Sequence, residues 1–222
     1  MKLYCPNCGN ENQDSNVKCI FCDTILSRFS KGGLLTPGLI LHSKYQIVRQ
    51  ISQGKLSSIY CIKDVTNKTL HVLKELHCIT YSKNQKEYLL NRFAQEIELL
   101  MKLKHPNLPA VVDSFNLYGR YYLVMDYIEG YDLQYLLNKS SNKSIPEKLT
   151  VKWAIQLCDV LIYLHRLNII HRDIKPSNIM VREKDGKIFL VDFGLARVIE
   201  TERELTKTAV GTEGYIPPEQ YA

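Results

Sequence analysis

Apolar positions along the chain fall into short runs of strand length and two longer stretches with a helical period. Ile47 to Gln50, Ile59 to Asp64, Leu70-His-Val-Leu-Lys74 and Tyr121-Tyr-Leu-Val-Met125 predict strands, and Ile188-Phe-Leu-Val191 predicts one more. Between Leu89 and Leu103, Phe93, Ile97, Leu100 and Met101 fall on one face of a predicted helix. A second helix is predicted to open at Pro146 and Glu147 and run to about Leu167. Its wide apolar face comprises Trp153, Ile155, Leu157, Val160, Leu161 and Leu164, so it is expected to be buried, with His165 as a packed or capping residue.

The first 26 residues do not fit this pattern. They hold Cys5-Pro-Asn-Cys8-Gly9 and Cys19-Ile-Phe-Cys22-Asp23, two C-x2-C pairs separated by ten residues. Four thiolates so spaced suit a tetrahedral Zn2+ site with no open position, and Gly9 and Asp23 are residue types that accept the left-handed backbone after a second ligand. The arrangement resembles a zinc ribbon. Two disulfides are the alternative, disfavoured without a secretion signal. Residues 27–43 are richer in Gly, Pro and Ser and read as a linker whose second half packs on the next domain.

Composition narrows the class. The chain has 222 residues, of which 45% are hydrophobic and 23% charged, enough for one sizeable core or a core plus a small satellite. Met1-Lys-Leu-Tyr leads straight into the cysteines, and no apolar run is long enough to cross a bilayer. A cytosolic location is therefore the default. The net charge of +6 is spread without long basic runs, which suits a solvated surface and acidic partners better than nucleic acid. Cys61, Cys78 and Cys158 are expected as reduced thiols in or near the core.

The densest chemistry lies in His171-Arg-Asp-Ile-Lys-Pro-Ser-Asn178 and Asp192-Phe-Gly194. Pro176 prevents a helix, so Asp173, Lys175 and Asn178 belong to an irregular loop, and Gly194 permits a sharp turn after the strand before Asp192. Two hard-oxygen ligands for Mg2+, a carboxylate to hold a hydroxyl proton and one cation can converge there.

On these motifs the chain, from about residue 39 onward, resembles the eukaryotic-type protein kinases, and bacterial members whose activation segments end in Gly-Thr-x-Gly-Tyr-x-x-Pro-Glu-Gln. The resemblance implies an α+β, two-lobed fold: residues 44–128 form an antiparallel sheet with one helix and the hinge, and residues 129–222 form an incomplete helical lobe. It implies that Asp173 accepts the substrate hydroxyl proton, that Asn178 and Asp192 hold Mg2+, and that Lys175 marks serine/threonine specificity. Lys74 would contact the ATP phosphates, held by Glu96, which stands nine residues before His105-Pro-Asn107. Ile51, Ile59, Val72 and Met180 would sandwich adenine, Met125 would be the gatekeeper, the backbone of Asp126 and Ile128 would bind the base, and Asp132 the ribose. Gly54 is the only glycine kept from the family's G-x-G-x-x-G loop, with Ser52 and Ser57 at the flanking positions.

Arg172 suggests control by phosphorylation of Thr206 or Thr208, while Thr212 is expected to contact Asp173 and Lys175. The function implied is a serine/threonine kinase acting on protein substrates with ATP, Mg2+ and a structural Zn2+, its ribbon offered to another protein. The alternatives are a nucleotide-binding pseudokinase, motivated by the two missing glycines, and a zinc-ribbon scaffold. Family members continue for several helices beyond the position of Ala222, so a truncated kinase or a remnant with poor activity is expected, with the underside of the 147–167 helix partly uncovered.

Overall fold

A computed structural model describes residues 2–4, 10–13, 15–23, 25–26, 34–54, 56–76, 83–117, 120–198 and 211–216. They fall into two compact units, one of residues 1–97 and 111–127 and one of residues 98–110 and 128–222.

The first unit opens with the short antiparallel pair β1 (Lys2–Tyr4) and β2 (Glu11–Gln13). Its main body is a six-stranded antiparallel sheet: β3 (Ile40–Leu41), β4 (Tyr45–Gln53), β5 (Ser57–Asp64), β6 (Leu70–Leu76), β7 (Val111–Leu117) and β8 (Arg120–Asp126), in the order β3-β4-β5-β6-β8-β7. Strand alternation decides its two faces. On one, Tyr60 and Ile62 of β5, Leu73 of β6 and Tyr122 and Val124 of β8 pack with Tyr45, Ile47, Leu35 and Leu41. Burial of side chains of this size is worth about 1.5–3 kcal/mol each. The predicted linker therefore supplies core residues from Leu35 onward, and its backbone is tied in as well. Gly38 N–H donates to Ile47 O at 2.8 Å, and Ile47 N–H donates to Leu39 O at 2.8 Å.

The opposite face carries Lys74, whose cross-strand partners are Ile59 and Leu123. Helix α1 (Lys83–Lys102) begins six residues before its predicted start, because its first turns carry no apolar period for sequence reading to detect. Phe93 and Leu100 are buried as expected, but Met101 is 62% exposed. The helical stripe is narrower than four apolar residues suggest, and Met101 lies one position outside it. The segment Ser52 to Ser58 is mostly strand rather than loop, since β4 reaches Gln53 and β5 starts at Ser57. Gly54 N–H donates to Ser57 O at 2.8 Å and closes the turn.

The second unit contains β9 (Gly130–Asp132), α2 (Leu133–Lys139), α3 (Glu147–Arg166), β10 (Ile169–Ile170), a 3-10 turn at Pro176–Asn178, β11 (Ile179–Arg182), β12 (Ile188–Leu190) and β13 (Arg197–Val198). Strands pair antiparallel in the order β12-β11-β9, and β10 pairs with β13. Gly130 is needed for that pairing: a Cβ there would meet Val181 O at 1.9 Å.

Helix α3 buries Trp153, Val160 and Leu164, and Trp153 Nε1 donates to Gly186 O at 3.0 Å. Ile155, expected on this buried face, is instead 65% exposed, with Val151 and Ile162 also exposed. Leu157 and Leu161 of the expected face are half-buried, so among the described residues the fully buried stripe is limited to 153, 160 and 164. His165 is exposed in the last turn rather than packed, and Cys158 is exposed whereas Cys61 is buried. Cys78 lies outside the described residues. Among the described residues, no helix is long and apolar enough to cross a membrane.

Candidate active site

In the first unit, Lys74 Nζ lies 2.6 Å from Glu96 Oε1, with both side chains almost wholly buried. β6 presents Lys74 toward α1, and the helix returns a carboxylate to it. Of the residues expected around adenine, Val72 and Met125 are direct cross-strand partners, and Ile59 pairs with Lys74. Ile51 is 43% exposed on β4, and Asp126 is exposed at the end of β8. Gly54 has no left-handed backbone, and a Cβ there would stand 3.4 Å from Ser57 O, an ordinary contact.

In the second unit, the loop after β10 gathers polar groups about one carboxylate. Asp173 Oδ2 is 2.7 Å from Lys175 Nζ and accepts from Asn178 Nδ2 at 2.9 Å. Asp173 Oδ1 accepts from Thr212 Oγ1 at 2.6 Å, and Lys175 Nζ donates to the same hydroxyl at 2.6 Å. Asn178 Nδ2 also donates to Asp173 O at 2.9 Å, so the turn at Pro176 folds the loop back on its own aspartate. Burial pushes the Asp173 carboxyl up, but hydrogen bonds from Lys175, Thr212 and Asn178 outweigh it and hold the group below the usual range. It is therefore an anion at neutral pH, screened yet able to accept a hydrogen bond.

The loop is braced from below. Arg172 takes a left-handed φ of 66°, and Asp173 N–H donates to His171 Nδ1 at 3.3 Å. Desolvation pushes the buried His171 imidazole pKa down against the pull of Asp192 and Asp173, which keeps the ring neutral. Phe193 meets that ring edge-on at 4.8 Å. Asp192, φ 63°, accepts from Gly194 N–H at 3.3 Å, and Val191 N–H donates to Asn178 O at 2.9 Å. The segment after β12 that carries Asp192 is thus laced to the loop carrying Asn178.

The donor set fits Mg2+. The Asn178 amide nitrogen is engaged by Asp173, which leaves its oxygen as the atom that could ligate a cation, and Asp192 carries a carboxylate. Ile128 is buried, Met180 is half-buried opposite Asp132 in register, and Asp132 caps α2, its Oδ1 accepting from Tyr135 N–H at 2.8 Å. Asn107 has no role assigned by sequence reasoning, yet it fastens this region. Its Nδ2 donates to Ile188 O at 2.7 Å and to Gln156 Oε1 at 3.1 Å, and its O accepts from Leu190 N–H at 3.0 Å. The only available signal is a polar residue beside a proline between apolar runs.

At the N-terminus Cys5, Cys8 and Gly9 lie outside the described residues. Among the described residues no group of three or more His, Cys, Asp or Glu gathers as a metal site. Cys19 is buried, and its sulfur accepts from Phe21 N–H and from Asn12 Nδ2, both at 3.4 Å. Asp23 has φ 57°, the left-handed turn expected one residue after Cys22. Thr206 and Thr208 also lie outside the described residues.

A family model described as protein kinase domain matches residues 45–221. Serine/threonine-protein kinase Nek1 of Mus musculus is 34% identical over 176 residues, 79% of this chain and 14% of that protein. Probable serine/threonine-protein kinase YbdM of Bacillus subtilis is 36% identical over 168 residues, 76% of this chain and 63% of that protein. Serine/threonine-protein kinase B of Synechocystis is 29% identical over 230 residues, 98% of this chain and 38% of that protein. The chain spans less than two thirds of the length of each of these relatives.

Proposed function

The chain belongs to the protein kinase family, and on that premise we propose that it transfers the γ-phosphoryl group of ATP to serine or threonine hydroxyls of protein substrates. The observation that carries the reading is the Asp173 carboxylate, ionised and held by Lys175, Thr212 and Asn178. In this reading Asp173 accepts the proton as the substrate oxygen bonds to phosphorus and the bond to the β-phosphate oxygen breaks. Lys175, 2.7 Å from the Asp173 carboxylate, would balance charge at the transferring phosphoryl group, and Lys74, aimed by Glu96, would bind the nucleotide phosphates. Asn178 and Asp192 supply the oxygens for Mg2+, which neutralises phosphate charge when bound.

We assign the adenine and ribose contacts to Ile51, Ile59, Val72, Met125, Asp126, Ile128, Asp132 and Met180, and a phosphate contact to the turn at Gly54. The cysteine segment is read as a zinc ribbon that binds another protein, supported by the two N–H donors on Cys19 sulfur and the turn at Asp23. Its thiols require a reducing compartment, which makes the cytoplasm the expected location. The test is incorporation of labelled phosphate from ATP into a generic basic protein by the chain and by Asp173→Asn. Incorporation only by the unaltered chain is expected, and equal incorporation by both would remove the enzyme reading.

A further inference from the structure

We propose that the buried cluster of Tyr60, Glu75, Arg120 and Tyr122 positions Lys74 from behind the sheet, a role that rests on the nucleotide-binding reading above. Lys74 and Glu75 are consecutive in β6, so their side chains leave opposite faces. Glu75 is 1% exposed, and both of its oxygens are engaged. Oε2 accepts from Tyr60 Oη at 3.1 Å, while Oε1 accepts from Arg120 Nη1 and, at 3.4 Å, from Tyr122 Oη. These donors come from the two strands flanking β6, so one carboxylate clamps three strands.

The register gives the clamp its target. Ser58 opposes Glu75 at the root of the turn that carries Gly54, and Ile59 opposes Lys74. A slip of one residue would turn Lys74 into the apolar core beside Arg120 and Glu75 toward Glu96, leaving four buried charges without counter-charges. A buried ion pair is a poor stabiliser compared with apolar packing, which argues for a part in setting register. Residues 34–41 complete the device: Leu35 N–H donates to Tyr60 Oη at 3.3 Å, and Leu35 and Leu41 cover the cluster. Burial and the nearby Glu75 charge push the Tyr60 phenol up to about 12, so it remains a donor throughout the working pH range.

The experiment is a binding cycle on the full chain, with a fluorescent ATP analogue and Mg2+ well below the melting temperature. It compares the parent chain, Tyr60→Phe, Lys74→Ala and the double variant. Glu75→Gln is the obvious alternative, but it strands the Arg120 cation in the core and risks unfolding, so Tyr60→Phe carries the test. Tyr60→Phe is expected to weaken binding about five-fold when Lys74 is present and by less than about 1.5-fold when it is alanine. Its effect on melting should be the same in both backgrounds. Equal weakening in both backgrounds, or none in either, overturns the proposal while leaving the kinase reading intact. Failure of the parent chain to bind the nucleotide overturns both together.

Discussion

Replacing Glu96 by glutamine keeps the shape and one hydrogen-bond acceptor but removes the charge facing Lys74 at 2.6 Å. At that distance and an effective dielectric of about 20, the gross attraction is about 6 kcal/mol. Much of it offsets the cost of withdrawing both ions from water, so the variant should lose about 2 kcal/mol of stability, and alanine about 3–5 kcal/mol. On the proposed reading, the same loss frees Lys74 to leave the geometry in which it would meet phosphate. We therefore expect kcat/KM for ATP to fall about 30- to 150-fold in the glutamine variant, with the KM for the protein substrate little changed. Urea denaturation gives the first quantity, and steady-state kinetics with ATP varied gives the second. The stability difference should also resist salt between about 0.1 and 1 M, since a buried pair is weakly screened. A glutamine variant with kcat/KM within about two-fold of the parent would refute the assignment of Lys74, even if stability fell by the expected amount.

Thr212→Val removes one of the hydrogen bonds that keep the Asp173 carboxyl below its usual range, so that group should titrate at higher pH. Because the base must be ionised, the acid limb of the pH–kcat/KM profile should move upward. An unmoved limb would exclude Asp173 as the titrating group. His171 is held neutral by burial, so the unfolded chain binds its proton first as pH falls through about 6.5. Stability should drop from there toward the lower folded-state value, and His171→Asn should abolish that part of the pH dependence in denaturation curves. Gly54→Ala has room in the turn and should leave the melting temperature unchanged. If nucleotide phosphates approach the bare backbone there, ATP affinity should nevertheless fall, and unchanged affinity would remove Gly54 from the site. Elemental analysis should find one zinc per chain, absent after Cys19→Ser, with loss of folded signal in residues 1–26 but not in the sheet.

The parts of the structure that can be read from sequence are those in which chemistry and backbone demand the same residue. Pro176 opens a single 3-10 turn, where an irregular loop is expected from sequence, and that turn returns Asn178 to Asp173, while β12 ends two residues before Asp192, which takes a left-handed φ. Such constraints act over a few residues, so they need no knowledge of distant packing. Lys74 and Glu96 are legible only as a pair at the kinase family's spacing, since a strand lysine and a helix glutamate are each ordinary surface residues. Met101 and Ile155 are misplaced by sequence reasoning because period alone cannot say how wide a stripe the neighbouring elements will cover. Glu75 and Arg120 are invisible for the opposite reason. Charged residues in amphipathic strands are expected outside, and only the arrival of Leu35, Leu41 and two tyrosine hydroxyls over the same face makes their burial tolerable. That burial depends on residues 34–41, which composition marks as a linker. A segment that packs over a buried ion pair one residue away from Lys74 is part of the core of the sheet, and composition alone cannot distinguish it from a spacer.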